Sequence, residues 1–115
     1  MIRRGFLYWG SLADDPKRRR PVLVVSPDAR NESAGARTVI VVPATTRRRG
    51  GPFRVPLHAE AAGVPRGSEL ACEQIAQLPK ERLSPSPLGG PLPGPRMQDV
   101  VRGILYAIGA GAIVD

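Results

Sequence analysis

Cysteine occurs once in this 115-residue chain, as Cys72. A single thiol excludes an internal disulfide framework and any metal site built from several cysteines. Beside Leu70 and Ala71, Cys72 reads as a buried structural thiol. Histidine also occurs once, as His58. A mechanism in which two histidines of one subunit exchange protons is therefore excluded. Lysine is confined to Lys17 and Lys80, so arginine carries nearly all the positive charge. Aromatic residues make up only 4% of the chain: Phe6, Tyr8, Trp9, Phe53 and Tyr106. No run reaches the ~20 apolar residues of a membrane span. The opening MIRRGFLYWG lacks the apolar length of a signal peptide. The expected location is cytoplasmic, with no membrane partner.

What is present is a basic, moderately apolar chain. Apolar residues make up 42%, and 17 basic residues face 10 acidic ones, for a net charge of +7. The length fits one domain, residues 1–115, with a core that needs no staples. Arginine presents a planar fork of donors that matches phosphates and stacks on bases. The balance points to a polyanionic partner, most simply nucleic acid. The alternative source of the bias is a GC-rich genome favouring Arg, Ala, Gly and Pro codons.

Element signals alternate with turn chemistry. GFLYWGSL (5–12) is rich in aromatic and branched residues and reads as a strand. PVLVVS (21–26) and TVIVVPAT (38–45) are near-continuous apolar runs, as expected of central strands. Between them, PDARNESAGAR reads as a loop with room for one helical turn. In FRVPLHA (53–59), Phe53, Val55 and Leu57 share one face, and Arg54, Pro56 and His58 the other, solvent-side face. GSELACEQI (67–75) is a further strand candidate, and PKERL (79–83) a short helical turn. SPSPLGGPLPGP is too rich in Pro and Gly for regular structure, apart from a short edge strand in PLGGPL. Met97, Val100, Val101, Ile104, Leu105 and Ile108 recur at helical spacing after Pro95, which predicts a helix over 96–108. Gly109 and Gly111 end it. Its apolar stripe is expected to pack on the sheet or on a partner subunit. Short strands followed by one helix make a mainly β fold, a small antiparallel barrel or curled sheet with a C-terminal α-helix.

Two stretches frame the functional question. KRRRPVLVVS passes from four cations directly into a strand, and TVIVVPATTRRRGG passes from a strand into three arginines. If these strands pair antiparallel, Arg20 at the start of one meets Thr45 at the end of the other. Lys17, Arg18, Arg19 and Arg20 then join Thr45, Thr46, Arg47, Arg48 and Arg49 in one basic site on a rigid platform. Pro43 signals a bulge that would shift the register by one. The competing reading is two solvated basic loops that blunt strand edges.

The blocks RRRPVLVVSPDARN, TVIVVPATT, FRVPL and CEQI, with the spacing to ERL, resemble the MazF/PemK family of toxin endoribonucleases across nearly the whole chain. The resemblance implies an SH3-like barrel, a homodimer, and sequence-selective cleavage of single-stranded RNA without metal or cofactor. The implied products are a 2′,3′-cyclic phosphate and a 5′-hydroxyl, and the implied consequence of expression is growth arrest. The implied partner is an acidic, MazE-like antitoxin lying across the RNA groove. The family's active-site Arg falls on Arg20 and its active-site Thr on Thr45. Phe6 stands where members usually carry an acidic residue, and the connection before Pro21 is only ADDPKRRR.

The residue chemistry suits that role. Arg20 can neutralise charge on phosphorane oxygens with two donors, and Thr45 can add one hydrogen bond. Arginine, with a pKa above about 12, is a poor general base but can act as an acid toward the leaving oxygen. Arg18, Arg19, Thr46, Arg47, Arg48 and Arg49 are candidate phosphate and base contacts. Phe53 is the candidate stacking residue, and Asn31, Gln74 and Gln77 candidate base-edge readers. Glu73 reads either as base or base-edge reader, or as a strand-end carboxylate paired with an arginine. His58 reads as a surface histidine before a catalytic one. Two other functions share this barrel: a non-catalytic nucleic-acid- or antitoxin-binding module, and a gyrase poison on the related CcdB fold. The latter activity is implied to need a C-terminal tryptophan, whereas this chain ends GAIVD and its tryptophan is Trp9.

Overall fold

A computed structural model describes residues 1–11, 17–58, 64 and 67–110. Strands β1 (Leu7–Ser11), β2 (Arg19–Val24) and β3 (Thr38–Thr45) form an antiparallel meander. A short helix α1 (Asp28–Glu32) lies between β2 and β3. Strands β4 (Arg54–Pro56), β5 (Glu69–Ala71) and β6 (Ala76–Pro79) follow, and helix α2 (Gly94–Ala107) closes the described chain. Both β5 and β6 pair with β3, and β4 pairs with β5. A bridge between Gly10 and Leu83 ties the far edge back to β1. The result is a mainly β, barrel-like sheet with a C-terminal helix. No helix among the described residues is long and apolar enough to cross a membrane.

The central strands read as continuous apolar runs because both of their faces are buried. Tyr8, Val22, Val24, Val39, Val41, Leu78 and Leu83 fill one face. Leu7, Leu23, Val25, Val42, Ala44, Val55 and Leu70 fill the other, together with Cys72, Leu92 and Val100. Helix α2 covers this second face through Val100, with Met97 and Ile104 partly buried beside it. Of the expected stripe, Val101 and Ile108 remain exposed. Pro95 sits in the first turn of α2, where its missing N–H costs nothing.

Pro43 explains where the strand expectation over 67–75 fails. Val25 N–H donates to the Ile40 carbonyl at 2.9 Å, so even-numbered β3 residues exchange bonds with β2. Pro43 therefore turns its missing donor to the opposite edge, the one that β5 and β6 share. The β2–β3 register is unshifted there, with Val22 facing Pro43 and Val24 facing Val41. On the other edge the ladder breaks. The β6 register, continued, would set Ala44 opposite Glu73, yet Ala44 faces Leu70. A 3-10 turn at Cys72–Gln74 absorbs the three extra residues. The expected strand over 67–75 is thus β5 and a turn, and β6, which follows at Ala76–Pro79, was not expected.

Smaller differences have local causes. β2 opens at Arg19 and not Pro21, because its first residues pair with β1 alone. It ends at Val24. β4 is confined to Arg54–Pro56, and Phe53 leaves the buried face, 38% exposed. PLGGPL forms no strand; Leu88 and Leu92 donate singly to the carbonyls of Leu7 and Gly5. The helical turn in PKERL is a 3-10 turn at Lys80–Arg82. Leu12, the ADDP half of the ADDPKRRR connection, Ala59 and the GAIVD tail, Gly111 included, lie outside the described residues.

Candidate active site

The site grows from one row across the sheet. Gly10 of β1 faces Arg20 of β2, and Thr45 of β3 faces Glu69 of β5. The β2–β3 ladder, continued two residues beyond Val22 and Pro43, sets Arg20 across from Thr45. Pro21, with no N–H to give β3, ends that ladder just before them. Side-chain alternation puts Arg20 on the face of Val22 and Val24, and Thr45 on the face of Val39 and Val41. Both faces belong to the same core, so the two side chains stand at one end and on one side of the sheet.

Their environments differ. Arg20 is half-buried, with no described residue pairing its guanidinium. Thr45 is buried, and its Oγ1 accepts the Arg47 N–H at 3.1 Å. That bond uses a lone pair and leaves the hydroxyl proton free to be donated. Arg18, Arg19, Thr46, Arg47, Arg48 and Arg49 are all exposed around the pair. The Arg19 guanidinium lies 5.8 Å from the centroid of the Trp9 ring, a cation–π stack on the opposite face from Arg20. Gly50 and Gly51, at φ of 64° and 91°, turn the chain from Arg49 back toward β4 through conformations that side chains disfavour.

Beneath this loop lies a network of which the sequence offered only the pairing of Glu73 with an arginine. Arg54 is buried, although its face was expected to meet solvent. Its Nε and Nη2 grip Glu73 at 3.0 and 2.7 Å, and its Nη1 reaches Glu69 at 3.0 Å. Burial pushes the Glu69 carboxyl up. The Arg49 and Gly50 N–H groups and Arg54 outweigh that and hold it below the usual glutamate range. The Arg54 hydrogen bond likewise holds Glu73 down, against burial. Glu73 in turn raises Arg54. Glu73 thus has both oxygens on Arg54, the strand-end pairing, and a carboxylate held so acidic is a weak base. The available signal was the ELACE spacing: Arg54 faces Ala71, and the residues two on either side, Glu69 and Glu73, share its face.

Other expected residues fall elsewhere. Asn31 is buried, with its amide bonded to Ser26 and Asp28 where β2 runs into α1, at the opposite end of β2 from Arg20. It fixes that connection and is not brought to the arginines. Gln74 and Gln77 are exposed in the 3-10 turn and β6, and His58 is exposed just past β4. Phe53 lies at the base of the arginine loop. Cys72 is fully buried, and burial first, then Glu73, pushes its thiol up to about 11. It is the inert structural thiol expected.

The small curled sheet is barrel-like and gathers two arginine runs around a hydroxyl. Residues 3–108 match the model of the PemK-like, MazF-like toxins of type II toxin–antitoxin systems, and the chain belongs to this family. It is 32% identical over 109 residues to Endoribonuclease MazF6 of Mycobacterium tuberculosis, spanning 90% of this chain and 94% of that one. An endoribonuclease from a mycobacterial species, solved with its cognate antitoxin, superposes with a TM-score of 0.75 at 27% identity. That match covers 95% of this chain and 96% of the other. A MazE–MazF structure from Deinococcus radiodurans gives 0.73 at 26% identity, covering 94% and 95%.

Proposed function

We propose that this chain is the toxin of a type II toxin–antitoxin pair and acts as an endoribonuclease on single-stranded RNA, with Arg20 and Thr45 at the reacting phosphate. The observation that carries the assignment is the row that sets Arg20 and Thr45 on one face amid exposed arginines. In the reaction, the 2′-hydroxyl gives its proton to solvent water and its oxygen attacks the adjacent phosphorus while the bond to the 5′-oxygen breaks. The products are a 2′,3′-cyclic phosphate and a 5′-hydroxyl, which takes up a proton. Arg20 offers two charged donors to the phosphorane oxygens, and the free Thr45 hydroxyl offers a third. Arg20 also serves as the acid toward the 5′-oxygen. Arg18 and Arg47–Arg49 hold flanking phosphates, with Phe53 placed to stack a base, while Arg19 is held on Trp9 on the other face. The same basic rim receives an acidic antitoxin segment, in line with the antitoxin complexes of the mycobacterial and Deinococcus relatives. The toxin works as a cytoplasmic homodimer, with exposed Val101 of α2 and Ile108 just past its end as apolar interface residues.

The test is incubation of purified protein with a long single-stranded RNA in EDTA, with cut ends mapped, beside Arg20→Ala. Discrete cuts ending in cyclic phosphate, lost in a folded Arg20→Ala protein, are expected. Full activity in that variant would sink the assignment. RNA binding without any cut would favour the non-catalytic module.

A further inference from the structure

We infer that Arg54 and Glu69 are positioning residues: with Glu73 they set the backbone of residues 47–50, so that Arg47, Arg48 and Arg49 meet RNA already arranged. This rests on the ribonuclease reading above and names the part of the chain that presents the arginines.

The geometry is specific. Glu69 Oε1 accepts the Arg49 N–H at 2.6 Å, the Gly50 N–H at 3.2 Å and Arg54 Nη1 at 3.0 Å. The same Arg54 Nη1 donates to the Arg47 carbonyl at 3.0 Å. Thr45 Oγ1 takes the Arg47 N–H. Side chains thus hold four backbone groups within four residues, while the three arginine side chains stay exposed. Arg54 is itself fixed, with Nε on both Glu73 oxygens at 3.0 Å and Nη2 on Oε2 at 2.7 Å.

Two physical points separate this from ordinary loop closure. An exposed turn from β3 to β4 can satisfy its backbone with water. A buried ion pair adds little net stability over an apolar replacement of the same volume. What the cluster does supply is geometry, since ordering a loop before binding removes that cost from the binding step. Its charge also helps: two carboxylates against one guanidinium leave a net negative charge beneath three adjacent arginines, easing their mutual repulsion.

The experiment uses a labelled oligonucleotide carrying a mapped cut site. KM, kcat and the salt dependence of binding are compared for wild type, Glu69→Gln and Glu73→Gln. Glu69→Gln keeps size and an acceptor oxygen but loses the charge that grips Arg54. Its KM should rise about tenfold with kcat within about twofold, and its binding slope against log salt should flatten by about 1. Glu73→Gln, at the solvent edge of the cluster, should move the same quantities less, and it carries the test if Glu69→Gln does not fold. Unchanged KM and salt slope in folded variants would overturn the inference while leaving the ribonuclease reading standing. A fall in kcat alone would also overturn it, because that outcome belongs to a smaller active fraction. Wild-type protein that neither cuts nor binds RNA would remove the ribonuclease reading and this inference with it.

Discussion

Gly103→Ala is the sharpest test of how α2 is seated against the sheet that carries the site. Gly103 is buried in the middle of α2, facing the 3-10 turn between β5 and β6. A Cβ added there would lie 2.7 Å from Cys72 Sγ, 3.1 Å from Cys72 Cβ and 3.5 Å from the Pro52 carbonyl. Ordinary carbon contacts lie at about 3.5–4.0 Å. Two effects oppose each other. Glycine to alanine inside a helix gains about 1 kcal/mol of propensity. Overpacking a core typically costs about 1–3 kcal/mol. Here the sulfur would be about 1 Å too close, and Cys72 is fully buried, with no open side to swing toward. The cost therefore falls at the upper end, and the net loss should be about 2 kcal/mol. For a chain of this size that lowers Tm by roughly 8 °C. Cys72→Ala alone should cost about 1 kcal/mol through the small cavity it leaves. In the double variant the new methyl takes the space the sulfur left, so the pair should be coupled favourably by about 2 kcal/mol. Urea unfolding followed by circular dichroism on the four proteins measures the cycle. Gly103→Ala at or above wild-type stability, or effects additive within about 0.5 kcal/mol, would refute this account of the contact.

Other consequences follow from the same geometry. Thr45→Val keeps shape but removes both the free hydroxyl proton and the acceptor for Arg47 N–H; single-turnover cleavage should fall roughly 30-fold, about 2 kcal/mol, with a smaller loss of RNA affinity because three of the four bonds that set the arginine loop remain. Replacing Arg47, Arg48 and Arg49 together by Gln should weaken RNA binding and flatten its slope against log salt by about 2–3; an unchanged slope would mean they touch no phosphate. Arg54→Ala leaves Glu69 buried without its cation and should destabilise the fold by about 3–5 kcal/mol, read from denaturant midpoints. Glu69 and Glu73 are more acidic folded than unfolded, so below the ordinary glutamate pKa of about 4.3 the unfolded chain binds protons first. Stability should therefore be full at neutral pH and fall as pH drops through and below that value, less steeply in Glu73→Gln; equal slopes in the two proteins would argue against the Arg54 pairing.

The chain's own pattern determined its central strands, its C-terminal helix and the gathering of its charges. The runs at 21–26 and 38–45 are near-continuously apolar because both faces of β2 and β3 are covered. Given antiparallel pairing, Arg20 and Thr45 had to reach one end of the sheet. The periodic residues from Met97 onward made α2 legible in the same way, since 3.6-residue spacing is a local property. Tertiary structure alone decided the rest. Whether Pro43 disrupts β2 or the other edge depends on which way its missing donor points, and that is fixed by pairing across the sheet. The break of 67–75 into β5 and a turn, with β6 beyond it, follows from it. Asn31 looked free to read a base, yet its amide closes a local connection far along β2. Arg54 looked solvated, and became the buried centre of an ion network once β5 and the turn after it brought Glu69 and Glu73 to it. Periodicity announces burial of apolar groups, because water rejects them wherever they stand. Burial of a charge is stable only when its partners arrive, and theirs come from strands that the linear order keeps apart.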